Sequence, residues 1–146
     1  MIEAQFDKVF DTQQIYRLLL NAMSRPGKIN MLPSTICLTP PSALQKTAAA
    51  VAFTMLDHET GFCCLSNRYD VSDYIAINTG AAVQSVDAAE FIIFAGSSYA
   101  EISSACCGSL LSPEQGATLI IMVDRISNAD GVLRLQLSGR SEEHTS

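Results

Sequence analysis

The apolar positions fall into two periods that alternate along the chain, and the alternation predicts its elements. Ile15, Leu18, Leu19, Ala22 and Met23 recur at helical spacing behind Asp11 and Gln14, a capping-box pair, so a first helix is predicted over 12–23. Ser24-Arg25-Pro26-Gly27 ends it, because Pro26 disfavours a helical Arg25 and Gly27 accepts positive φ at no steric cost. A short strand is predicted over 28–32. Beyond Pro33 and Thr39-Pro40-Pro41, Ser42 and Gln45 form a second capping-box pair ahead of the stripe Leu44, Ala48, Val51, Ala52 and Met55, a helix ending near Asp57. Phe62-Cys63-Cys64-Leu65 reads as a buried strand, and Asp70 then caps a short helix with Val71, Tyr74 and Ile75 on one side.

Phe91-Ile92-Ile93-Phe94 is the clearest buried strand. Gly96-Ser97-Ser98 leads from it into a helix opened by Ser98 and Glu101 and ended by Cys106-Cys107-Gly108. Residues 119–123 and 132–137 read as an antiparallel strand pair joined through Asp130-Gly131, which is strong turn chemistry. Helices thus alternate with strands until a final pair, and the fold class expected is α/β: a layered fold on a mixed β-sheet with flanking helices.

Length and composition narrow the function classes. A chain of 146 residues fits one compact domain. Apolar residues make up 48% and mean hydropathy is +0.21, yet the longest apolar runs, 48–53 and 117–123, fall far short of the roughly 20 residues that cross a bilayer. The apolar content therefore belongs to a core. Only 16% of residues are charged, so exposed apolar patches and self-association as a homodimer are expected of the isolated chain. Nine Lys+Arg against fifteen Asp+Glu give a net charge of −6, which argues against the phosphate-neutralising surface of a nucleic-acid binder. Residues 1–10 carry Glu3 and Asp7 and no basic segment followed by an apolar one, so a cytoplasmic location is expected.

Three stretches, taken in order, carry a resemblance. Tyr16-Arg17-Leu18-Leu19-Leu20-Asn21-Ala22-Met23-Ser24-Arg25-Pro26-Gly27 resembles the "FR.LL.AMS.PG" opening of the PhnH family, subunits of the carbon-phosphorus lyase system of phosphonate breakdown. Pro113-Glu114-Gln115-Gly116-Ala117-Thr118-Leu119 is similar to that family's "P..GATL" stretch, and Leu133-Arg134-Leu135-Gln136-Leu137-Ser138-Gly139 to its "LRL.G" strand. The resemblance implies an accessory, non-catalytic subunit of a core complex with PhnG, PhnI and PhnJ, in which the radical chemistry belongs to PhnJ. It implies a system that transfers a phosphonate to the ribose of a nucleoside triphosphate before the bond is cleaved. It also implies a fold similar to that of pyridoxal-phosphate-dependent transferases without the cofactor. The resemblance leaves the family pattern after Gly139: Arg140-Ser141-Glu142-Glu143-His144-Thr145-Ser146 reads like the translated start of a sequencing-library adapter. Residues 1–139 are therefore expected to form one PhnH-like domain, incomplete at its C-terminus, and 140–146 a non-native tail.

The candidate chemistry agrees with a subunit that catalyses nothing alone. Pyridoxal chemistry needs a lysine for the Schiff base, and Lys8, Lys28 and Lys46, none of them in a cleft-forming pattern, read as solvated. His58 sits in a polar turn after a helix, an ordinary place for interaction with the helix C-terminus. The five cysteines, Cys37 and the adjacent pairs Cys63-Cys64 and Cys106-Cys107, match neither a disulfide framework nor zinc spacing, and are expected to be buried, reduced thiols. Neighbours on a strand point to opposite faces, so Cys63 and Cys64 do not make a metal site with His58. No catalytic residue, cofactor site or metal ligand is assigned. The candidate anion site is Gly96, Ser97 and Ser98, a strand-to-helix turn whose free N–H groups suit phosphate, and Arg25 is the candidate contact residue. A stand-alone enzyme or binding module for a phosphate-bearing small molecule at that turn is the alternative reading.

Overall fold

The computed structural model describes residues 3–65 and 69–127. Three helices, α1 (Phe10–Ser24), α2 (Lys46–Met55) and α3 (Tyr69–Thr79), accompany four strands, β1 (Gly61–Cys64), β2 (Ala82–Val83), β3 (Phe91–Ala95) and β4 (Thr118–Met122). The strands form one sheet in the order β2-β1-β3-β4, and each neighbouring pair is parallel. The expected α/β class holds. The antiparallel member that would make the sheet mixed, at 132–137, lies outside the described residues, as does the tail 140–146. No helix among the described residues is long and apolar enough to cross a membrane.

Parallel strands carry helices or loops on both faces and so read as continuous apolar runs. β1 and β3 do this. Phe62 and Ile93 face one cluster with Ile15, Ile36, Ala49 and Ile75, whereas Cys63, Leu65, Ile92 and Phe94 face a smaller one against Ile102 and Ala105. The alternation is the period of two expected of a strand. At β4 the cover is uneven: Ile120 and Met122 pack inward, while Leu119 and Ile121 remain exposed.

α2 is buried around more of its circumference than the single stripe predicted. Ala48, Ala49, Ala50, Ala52 and Phe53 are all buried, because α2 packs against α1, α3 and the sheet, and the small alanines permit close approach. Its predicted capping box does not form: the helix starts at Lys46 with Gln45 as N-cap, and the Gln45 amide instead donates to the Val123 carbonyl at 2.9 Å, tying α2 to the end of β4. The cap of α1 also differs. Asp7, not Asp11, holds the start, accepting the N–H groups of Val9 and Phe10 at 2.8 Å each, while Asp11 reaches back to the Asp7 N–H at 2.9 Å. These bonds from Phe10 and Val9 hold the Asp7 carboxyl below its ordinary value. Asp11 lies one turn too late to cap because the chain is already helical there.

Residues 28–32 form no strand. They run from the turn after α1 without regular structure or ladder partners, since the sheet is made by other segments. The predicted helix after β3 is a 3-10 helix, Gly96–Ser104, bent at Ser98 (φ −99°, ψ 20°).

A buried polar tether fixes the chain start. The Glu3 carboxylate accepts the Thr39 N–H and hydroxyl, each at 2.9 Å, and the Tyr74 hydroxyl, while the Glu3 N–H donates to Asn78 Oδ1 at 3.2 Å. Burial alone would raise the Glu3 carboxyl, but the bonds from Tyr74 and Thr39 outweigh it and hold it below its ordinary value. Tyr74 moves upward, through burial first and then its bond to Glu3.

Candidate functional site

In an open parallel sheet, ligands meet the carboxyl ends of the strands where the strand order reverses. Here the chain steps outward from β1 to β2, then returns past β1 to β3 and on to β4, so the reversal lies between β1 and β3. α3 packs with the cluster on one face, and the 3-10 helix after β3 packs with the cluster on the other. The two connections therefore part at this point, and at the strands' carboxyl ends lies a crevice of about 190 Å³, lined by Cys64 and Leu65 at the end of β1, Ile93 and Ala95 on β3, Met122 on β4 and Val71 on α3.

The candidate turn Gly96-Ser97-Ser98 follows Ala95 directly as the first turn of the 3-10 helix, and none of its three residues lines this crevice. Its backbone is not a glycine-dependent cradle. Gly96 does not adopt positive φ, and a Cβ there would sit 3.4 Å from Val123 Cγ1, an ordinary contact. Ser97 is exposed and Ser98 half-buried.

Cys64 is the one titratable group lining the crevice, and burial pushes its thiol up to about 11, against a lowering hydrogen bond from Ser72. Cys63 is likewise raised by burial, with Glu101 adding to it. Neither is a ready thiolate. The expectation that the cysteines are buried is corrected in part: Cys37, Cys106 and Cys107 are exposed, the last two because they lie in the loop after the 3-10 helix rather than inside an element. A thiol reagent at pH 8 should accordingly label three cysteines fast in the folded chain, the half-buried Cys64 slowly and Cys63 only on unfolding, which time-resolved intact-mass measurement with and without denaturant checks.

A pyridoxal cofactor does not fit these residues. Lys8, Lys28 and Lys46 are all exposed and none lines the crevice, whose walls offer no amine for a Schiff base and no carboxylate for a pyridinium. His58 is also exposed, with Nε2 3.8 Å from the Glu59 carboxylate. No group of three metal-ligating side chains occurs among the described residues.

The recurrent motifs have physical reasons. Arg25 leaves helical geometry at φ −136°, its N–H bonded to the Ala22 carbonyl, and Gly27 follows at φ +87° with the Lys28 N–H closing on the Arg25 carbonyl at 3.0 Å. Pro at the second position and a positive-φ glycine at the third are what that turn demands. Gly116 in the Pro113–Leu119 stretch packs against backbone: a Cβ there would lie 3.1 Å from the Cys107 carbonyl oxygen, and one on Gly108 would lie 2.9 Å from Gly116 N. That close approach sets the 2.7 Å bond from the Ala117 N–H to the Cys106 carbonyl and launches β4. Residues 4–144 match the family described as bacterial phosphonate metabolism protein (PhnH). The chain belongs to the PhnH family.

A curated relative supports this placement. The alpha-D-ribose 1-methylphosphonate 5-triphosphate synthase subunit PhnH of Rhizobium meliloti (strain 1021) is 28% identical over 131 residues, covering 87% of this chain. The chain spans 64% of the length of that relative. Within the PhnH-family motifs, the turn geometry accounts for Pro26 and Gly27 and leaves the exposed Arg25 side chain without an ion pair among the described residues. Sequence reading missed the crevice walls, Val71 and Met122 among them. Their positions at or beyond strand ends were visible, but which ends meet depends on strand order.

Proposed function

We propose that the chain acts in the cytoplasm as an accessory, non-catalytic subunit of a carbon-phosphorus lyase core complex, assembled with PhnG, PhnI and PhnJ. The observation that carries this reading is the family match over 4–144, joined by a relative named as one subunit of a synthase. That relative's product joins methylphosphonate to a ribose triphosphate, and chemistry on so highly charged a substrate calls for cationic and acid–base groups. The crevice of this chain is apolar instead, with one thiol raised well above neutrality. Its fold is in this reading a pyridoxal-transferase-like scaffold whose site has been given over to packing, and self-association of the isolated chain follows from exposed apolar side chains such as Phe10, Met23 and Leu111.

The second reading, a binding module for a phosphate-bearing molecule at Gly96–Ser98, draws on the position of that turn at the reversal point. One experiment separates the two. The tagged chain is co-expressed with PhnG, PhnI and PhnJ and also purified alone. Stoichiometric co-purification, with synthase activity present only in the complex, is the expected outcome. Turnover by the isolated chain, or phosphate shifting the amide resonances of Gly96–Ser98 in a chain that binds no subunit, would replace it with the second reading.

A further inference from the structure

The cations of this chain are unevenly placed. Lys8, Arg17, Arg25 and Lys28 fall within residues 8–28, where Asp11 is the sole acid, so this span carries +3 in a chain of net charge −6. All four are exposed, and neither Arg17 nor Lys28 has an ion pair among the described residues. The span is α1 and the turn after it, and between them and the segment 28–33 runs a groove. Its two adjoining hollows, of about 420 and 660 Å³, share Leu18, Lys28 and Asn30. The inner hollow is apolar, with Leu19 on its wall, and the outer one is bordered by Arg17, Asn21 and Lys28.

A second observation bears on what fills it. Asn21 Oδ1 and Asn30 Nδ2 are buried and make no hydrogen bond among the described residues, which is uncommon for buried polar atoms. Both side chains are half-buried and line the outer hollow, and the χ2 torsion of asparagine is soft. One is an acceptor and the other a donor, the pair that the N–H and C=O of a passing peptide backbone satisfy. A fully ionised oxyanion such as sulfate or a carboxylate offers acceptors only and leaves Asn21 Oδ1 unmet. A bilayer needs a convex apolar face, and this one is concave.

We propose that this groove docks an acidic, extended segment of a partner protein, with an apolar side chain in the inner hollow and carboxylates against Arg17 and Lys28. The proposal rests on the subunit reading and assigns the surface through which assembly occurs. Charge complementarity of this kind acts on both association rate and affinity, and weakens with salt.

The test compares the wild-type chain, the double variant Arg17→Glu/Lys28→Glu, the milder Arg17→Gln/Lys28→Gln and the control Lys46→Glu, each titrated onto the co-expressed complex lacking this subunit. Both altered side chains are exposed, and an unchanged thermal midpoint shows that folding is intact. Affinity is expected to fall roughly 100-fold for the double reversal and about tenfold for the glutamine pair, and to be unchanged for Lys46→Glu. Amide exchange over 17–30 slows on assembly of the wild-type chain. Wild-type assembly matched by the double reversal overturns the docking alone. A wild-type chain that assembles with nothing overturns the subunit reading and the docking with it. Arg17-dependent binding of inorganic phosphate, or of phosphatidylserine vesicles, with no loss of assembly in the double reversal, reassigns the groove to a small anion or a membrane.

Discussion

Replacing Phe62 with alanine is expected to cost about 3–5 kcal/mol of folding free energy, the range for emptying a fully buried aromatic site. Phe62 is 0% exposed and sits on β1, which is paired on both sides, by β2 and β3. Such a cavity closes only if its walls can move inward. The buried cluster that Phe62 belongs to includes Ala49 and Ala52 on α2, short side chains with little reach into a vacated space, and α2 is held between α1, α3 and the sheet. The loss should therefore lie toward the upper part of the range. With total stabilities of about 5–15 kcal/mol, this removes a large share of the whole. For a chain of this size the thermal midpoint should drop by about 10 °C or more. Leu119→Ala on the exposed side of β4 should shift it by no more than a degree or two, because Leu119 is 39% exposed. Circular dichroism melts of the two variants give the comparison, and similar shifts in both would mean that the core is not organised around β1.

Breaking the tether at Glu3 is the second large effect. Glu3→Ala removes the acceptor of three hydrogen bonds and leaves the Tyr74 hydroxyl and two Thr39 donors without it, at a cost of about 2–4 kcal/mol for charge-assisted bonds in a buried setting. The pH dependence has a definite sign. The folded Glu3 carboxyl lies below its ordinary value of 4.5, so its contribution is fully present above that value and is lost as pH falls through the lower, folded one. Tyr74 is shifted upward from 10.0, so its contribution is present below pH 10 and is lost as pH rises beyond it. Urea denaturation across pH should give a plateau between the two limbs. Glu3→Gln should flatten the acid limb, and Tyr74→Phe should remove the alkaline limb at a cost of about 1–3 kcal/mol at neutral pH. An acid limb that survives Glu3→Gln unchanged would assign it to other carboxylates, with Asp7 the first to examine.

Much of the fold was legible because burial and periodicity are local. Phe91-Ile92-Ile93-Phe94 is apolar at every position, which only a strand covered on both faces tolerates at that length, and it is β3. The stripe from Ile15 to Met23 is α1, and Arg25-Pro26-Gly27 ends it through constraints on φ that belong to proline and glycine wherever they occur. Capping was less legible. Ser42 with Gln45 and Asp11 with Gln14 have the right spacing, but a side-chain amide or carboxylate goes to whichever donor or acceptor the tertiary fold brings nearest. For Gln45 that is Val123, 78 residues away. The segment 28–32 has a strand-like pattern and no strand to pair with.

The division follows from what each level of structure can see. Sequence alone determined the α/β class, the position of three helices and of the strands at Phe62 and Phe91, the solvated lysines and the PhnH resemblance, because propensity, periodicity and motif are written in neighbouring residues. Only the tertiary structure decided the order β2-β1-β3-β4, and with it that the turn at Gly96 lies at the reversal point beside an apolar crevice. It alone brought Glu3 to Tyr74 and set Arg17 and Lys28 beside Asn21 and Asn30 in one groove. Contacts between segments distant in the chain are selected by the packing of whole elements, and no short stretch of residues encodes which partner it will meet.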